Sequence, residues 1–121
     1  MGGGHTVVDI SGNSEFIATA PGSFNLSVFA NQGTEFVLHY TGPLSSPVTG
    51  LDITDDGKWI ALTLLNSVIV CFYDTLRNSF IRYNPLNCGL FSAEEVAISE
   101  DHQWVVASFS FGIEIYHFDN I

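Results

Sequence analysis

Ile53 and its surroundings recur twice in this chain. Counterparts stand at Ile10, 43 positions earlier, and at Ile98, 45 positions later. Six residues beyond each isoleucine comes a large aromatic, Phe16, Trp59 or Trp104, followed at once by β-branched Ile17, Ile60 or Val105. A polar turn separates isoleucine from aromatic: Ser11 to Glu15, Thr54 to Lys58, Ser99 to Gln103. Tyr73-Asp74 and Phe118-Asp119 stand at matching distances further on. The middle copy, Val48 to Asp74, reads as strand, Asp55-Asp56-Gly57 turn, strand, short loop, strand. Three matched copies of one supersecondary unit restrict the chain to a repeat architecture.

A period of about 40–45 residues with four short strands per unit predicts propeller blades. One small twisted sheet has two apolar faces and cannot bury them alone, so neighbouring sheets must stack on it. The expected fold class is all-β: β-propeller blades of four-stranded antiparallel sheets, about 2.75 of them, in a single partial propeller over 1–121. Blade one is expected over about 5–40, with strands at Thr6–Ile10, Glu15–Ala20, Phe24–Ala30 and Thr34–Tyr40. Thr41–Pro47 carries two prolines, which suit neither a helix nor an inner strand, and is predicted as a loop. Blade two spans about 48–83, its outer strand Ser79–Tyr83 being short, and Asn84–Ser92 is predicted to connect onward. Blade three spans about 93–121 and lacks a fourth strand. Ala93-Glu94-Glu95 is at most one helical turn.

This pattern resembles the WD40-like β-propeller repeats over nearly the whole chain. The likeness is carried by Asp55-Asp56-Gly57-Lys58 before an apolar strand, and by Phe72-Tyr73-Asp74 and His117-Phe118-Asp119, where that family often ends a strand in Trp-Asp. No Gly-His pair opens the second or third repeat and no Trp-Asp pair occurs, so the likeness is to the repeat class broadly. Bacterial-type propeller repeats that end in an aliphatic–Asp step look similar. The resemblance implies a ring of about four to eight blades. Three blades would leave sheet faces and a strand edge uncovered. Closure is expected from a second copy, giving a six-bladed ring, from another chain, or from the rest of a longer protein.

Composition narrows the partners. The apolar fraction is 46% and the charged fraction 13%, which suits strands buried on both faces. The formal charge is −10, with Lys58, Arg77 and Arg82 the fixed cations. Nucleic acid and anionic membrane surfaces call for positive charge, so neither is an expected partner. The start, Met1-Gly2-Gly3-Gly4-His5, has no signal-peptide pattern and reads as a flexible lead. Cys71 in a strand and Cys88 in a loop have no metal-ligand spacing, and free thiols favour a reducing, cytoplasmic setting.

No catalytic or metal constellation emerges, and no cofactor is implied. His5, His39, His102 and His117 fall in different units. No Gly-x-Ser-x-Gly elbow or phosphate-binding loop is present. Asp55-Asp56, Glu94-Glu95 and Glu100-Asp101 are adjacent carboxylates on or near turns, not a pair facing across a cleft. Phe16, Trp59 and Trp104 occupy one repeat position, which predicts packing between blades. The loops are unusually apolar: Leu64 and Leu65, Leu90 and Phe91, Phe109 and Phe111 are the candidate partner-binding residues. The expected function is a non-enzymatic protein–protein interaction or scaffold module that needs partner blades. The alternative is a ligand-binding or enzymatic propeller with a site in the central channel or at a subunit junction, in which His39, His102 or Glu114 would take part.

Overall fold

The computed structural model describes residues 7–20, 25–44, 47–64, 67–74, 79–87, 93–109 and 112–117, with the backbone alone for 83–87. The regular structure there is all strand. The first sheet is a meander of β1 (Val7–Ile10), β2 (Phe16–Ala20), β3 (Asn25–Asn31) and β4 (Phe36–Pro43). The second repeats it with β5 (Val48–Ile53), β6 (Trp59–Leu64), β7 (Ser67–Asp74) and β8 (Ser79–Asn87). The third holds β9 (Ala93–Ile98), β10 (Trp104–Phe109) and β11 (Gly112–His117). All neighbours pair antiparallel. The first strands of the three sheets adjoin, β1 against β5 and β5 against β9, as blades around an axis do.

Strand β6 shows why the sheets must stack. All six of its residues are buried, and they alternate between two cores. Ile60, Leu62 and Leu64 point into a core shared with Ala18, Ala20, Leu26 and Val28 of blade one. Trp59 and Ala61 point the other way, into a core with Ile98, Val105 and Ala107 of blade three. A period-2 strand with both faces apolar is stable between two sheets and nowhere else.

The outer strands run further than the sequence predicts. β4 extends through Thr41 and Gly42 to Pro43, and β8 continues four residues past Tyr83, to Asn87. Proline is tolerated because these are sheet-edge strands, where a missing N–H costs no ladder bond. Pro43 ends its strand, while Pro85 falls in a bulge between the Val70↔Tyr83 and Val68↔Leu86 pairs. Ala93-Glu94-Glu95 opens β9 and is strand rather than helix.

Candidate interaction surfaces and the contacts between blades

Each inner turn is built the same way. A hydroxyl directly after the anchor isoleucine donates to a carbonyl or carboxylate oxygen two residues on and accepts the N–H of the aromatic five residues on. In blade one, Ser11 Oγ donates to Asn13 Oδ1 (2.7 Å) and accepts from Phe16 N (3.1 Å). Thr54 Oγ1 does so with Asp56 Oδ1 (2.7 Å) and Trp59 N (3.2 Å). Ser99 Oγ repeats it with Asp101 and with Trp104 N (3.0 Å). The Ser99 hydroxyl, then the Gln103 N–H, hold the Asp101 carboxyl below the usual carboxylate range. The fourth turn position is left-handed in all three, at Ser14, Gly57 and His102. The acidic turn residues are therefore structural: they satisfy the chain's own N–H groups.

The turns also lock blade to blade. Gly57 lies against the ring of Phe16, and His102 stacks on Trp59 with centroids 4.5 Å apart and planes 8° apart. One residue before each of the first two anchors stands an aspartate that reaches the next blade. Ile53 N–H donates to Asp9 Oδ2 (3.1 Å), and Ile98 N–H donates to Asp52 Oδ2 (2.8 Å). Thr49 Oγ1 adds a bond to Ala93 O (2.7 Å), and His39 Nε2 meets Tyr73 Oη at 2.8 Å further out.

Asp52 titrates abnormally. Burial raises its carboxyl to about 6, with help from Asp9 and Glu100 and against the opposing pull of the Ile98 N–H. A folded-state value above the unfolded 3.8 makes this group most favourable below pH 4, with that contribution lost as pH rises through 6. Asp52→Asn removes the charge and keeps an acceptor for Ile98. Because the carboxyl is only half-buried, the expected gain at pH 7 is about 1 kcal/mol rather than the full shift. Urea denaturation at pH 4 and at pH 7 should show the variant's advantage at the higher pH alone.

Two sheet faces stand open. On blade one, Ile10, Ile17, Phe29 and Leu38 form a row across all four strands, on the side away from blade two. Val8 is 65% exposed and Ile10 49%. Their repeat counterparts, Ile53 and Ile60 or Ile98 and Val105, are buried under the preceding blade. On blade three, Trp104, Val106, Ile113 and Ile115 share the side away from blade two, with Trp104 46% and Ile115 58% exposed. Trp59 and Ala61, the counterparts of Trp104 and Val106, are buried under the following blade.

Of the loop residues singled out by sequence, Leu64 lies wholly inside the core between blades one and two, and Phe109 is half-buried against the second core. Leu65, Leu90, Phe91 and Phe111 lie outside the described residues, as does Cys88. Cys71 is fully buried, and desolvation pushes its thiol up to about 12, which makes it inert. His39, His102 and Glu114 sit on β4, in the β9–β10 turn and on β11. Trp104 departs from expectation, because its face has no following blade over it among the described residues. Sequence reasoning missed Asp9 and Asp52, although the repeated Asp-Ile step at 9–10 and 52–53 signals them. Among the described residues no group of three or more His, Cys, Asp or Glu could hold a metal ion, and no helix is long and apolar enough to cross a membrane.

No protein-family model matches the chain, and no curated protein does. Solved structures do. A protein from Lactobacillus plantarum superposes with a TM-score of 0.69 over 95% of this chain and 37% of its own, at 15% identity. The β-propeller domain of Cps50 (Swd1) from Myceliophteria thermophila gives 0.71 over 93% of this chain and 40% of its own, at 8% identity. The chain thus spans about two-fifths of the length of these structures, and its all-β fold, three antiparallel sheets of four, four and three strands, is that of a part-propeller.

Proposed function

We propose that this chain is a non-catalytic protein–protein interaction or scaffold module of the WD-repeat-like propeller kind, whose two end faces bind further blades. The observation that carries the reading is the repeat equivalence of exposed and buried positions. Ile10 and Trp104 occupy places that are buried, in the middle of the stack, at Ile53 and Trp59. Apolar sheet faces of this kind mark binding surfaces. The occupying blades come from a partner chain, a second copy or further sequence of the same protein, and the buried Cys71 thiol suits an intracellular, reducing setting.

The test is solution mass by light scattering over a dilution series, with Ile10→Glu and Ile115→Glu beside the parent chain. Both residues are on open faces, so the folded state tolerates the charge. The parent chain should associate increasingly with concentration, and each substitution should weaken that association at least about tenfold. Variants that associate unchanged would overturn the reading, and a parent chain that stays monomeric at millimolar concentration would remove the second copy as occupant and leave a different chain or further sequence of the same protein.

A further inference from the structure

Two aspartates from neighbouring blades meet at the first strands. Asp9 of β1 accepts the Ile53 N–H through Oδ2 (3.1 Å) and the Ile10 N–H through Oδ1 (2.9 Å). Asp52 of β5 accepts the Ile98 N–H through Oδ2 (2.8 Å). The two carboxyls also hydrogen-bond to each other across the junction of blades one and two. An ionised carboxylate only accepts, so that contact needs a proton.

The charges that act on Asp52 are Asp9 and Glu100, both negative. Strand β5 packs against β1, β2, β6 and β9. β2 and β6 carry no titratable side chain, β1 carries Asp9, and β9 carries Glu94 and Glu95, both exposed and beside Gly50. In the adjoining turns Glu15, Asp55, Asp56 and Lys58 are exposed, and Asp101 is bonded to Ser99. Glu100 accepts the Asp55 N–H, and His102 is stacked on Trp59.

We propose that Asp9 and Asp52 share one proton and form a pH-operated clasp between blades one and two. With the proton in place, the Asp52 hydroxyl donates to the Asp9 carboxylate, and one hydrogen-bonded chain runs from β1 through β5 to the Ile98 N–H of β9. Loss of the proton to water leaves two like charges at hydrogen-bond distance, a repulsion that acts on β1 against β5. The same loss strengthens the Ile98 link, because the full carboxylate is the better acceptor. The clasp therefore loosens one junction and keeps the other. Burial, with help from Asp9 and Glu100, raises the Asp52 carboxyl to about 6, so the clasp is closed below that pH and opens as pH rises through it. The apolar core of blades one and two and the His39–Tyr73 bond remain, so the opening is local to the first strands. The device lies within the chain and does not rest on what occupies its end faces.

Amide exchange of the intact chain, with the intrinsic pH dependence divided out, tests the clasp. Between about pH 5 and about pH 7.5, protection of the Ile53 amide should fall about tenfold, while that of Ile98 holds or rises. The Asp52 carboxyl carbon, followed by NMR, should titrate with the same midpoint. Asp52→Asn keeps the acceptor for Ile98 and offers Asp9 an amide N–H that does not titrate, so Ile53 protection should stay flat. Asp9→Asn keeps an acceptor for Ile53, removes the repulsion and should flatten it too. Ile53 protection that ignores pH in the parent chain, or follows a midpoint other than that of Asp52, would overturn the proposal. So would a parallel fall at Ile98, which marks opening of the whole fold, or a fall at Ile53 that survives both substitutions.

Discussion

Gly50→Val is expected to cost about 2–3 kcal/mol, lowering the midpoint of thermal unfolding by roughly 10 °C. Gly50 lies in the middle of β5, where a side chain would ordinarily help: removing glycine from a strand gains about 0.5–1 kcal/mol. The neighbours reverse the sign. A Cβ at 50 would sit 2.9 Å from Glu95 Cα, 3.1 Å from Glu94 O and 2.8 Å from Thr63 Oγ1. Two of these are backbone atoms of β9, which cannot rotate away, so the first strands of blades two and three must part. The Thr49–Ala93 and Asp52–Ile98 bonds flank the same contact and would be strained with it. Hydrogen exchange should therefore show the Ile98 amide loosened while Ile53 stays protected. Gly33→Ala is the control. Unlike Gly50 it has a left-handed backbone, but nothing lies within 4 Å of its Cβ, so its cost should stay near 1 kcal/mol and leave Ile98 untouched.

The repeat made the architecture legible. Ile10, Ile53 and Ile98 mark where each first strand ends, because a period-2 strand that is apolar on both faces must be flanked by like sheets. The polar turns were legible as turns, but not as the hydrogen-bonded unit that Ser11, Thr54 and Ser99 build, since a hydroxyl and a carboxylate two apart look like ordinary solubilising residues. The outer strands were misjudged at Pro43 and Pro85, because sequence alone does not say which strand is an edge, and only an edge tolerates the missing donor.

The surfaces were less legible than the fold. Apolar loop residues looked like a binding face, yet Leu64 is the last residue of a strand and faces inward, a matter of strand phase that one misplaced residue reverses. The open faces instead consist of positions that in another blade would be core. Val8 and Ile115 carry no local mark of exposure, because their exposure comes from what stands next to them in space. Gly50 went unnoticed for a related reason. It has no repeat counterpart, Val7 and Glu95 holding the equivalent places, and the demand for glycine comes from β9 across the junction.

Trp59→Ala and Trp104→Ala should therefore differ widely, although the two residues hold one repeat position. Trp59 is 3% exposed, lies against Phe72 at 4.7 Å and carries His102 stacked on it at 4.5 Å. Its truncation opens a cavity between blades two and three and should cost about 3–5 kcal/mol. Trp104 packs on one side, against His117 at 4.3 Å, and leaves the rest of its ring to solvent. Removing it should cost about 1–2 kcal/mol, since nearly half of its surface stays in water on folding of the chain alone. Chemical denaturation measures both, and equal costs would mean that blade three's far face is already covered. Fluorescence gives a second readout. In a Trp59→Phe chain, acrylamide should quench Trp104 readily, whereas in a Trp104→Phe chain Trp59 should resist. Trp104 then becomes a built-in reporter of docking: a blade seated as blade three seats on blade two would cover it, shift its emission to the blue and raise the cost of its removal toward that of Trp59.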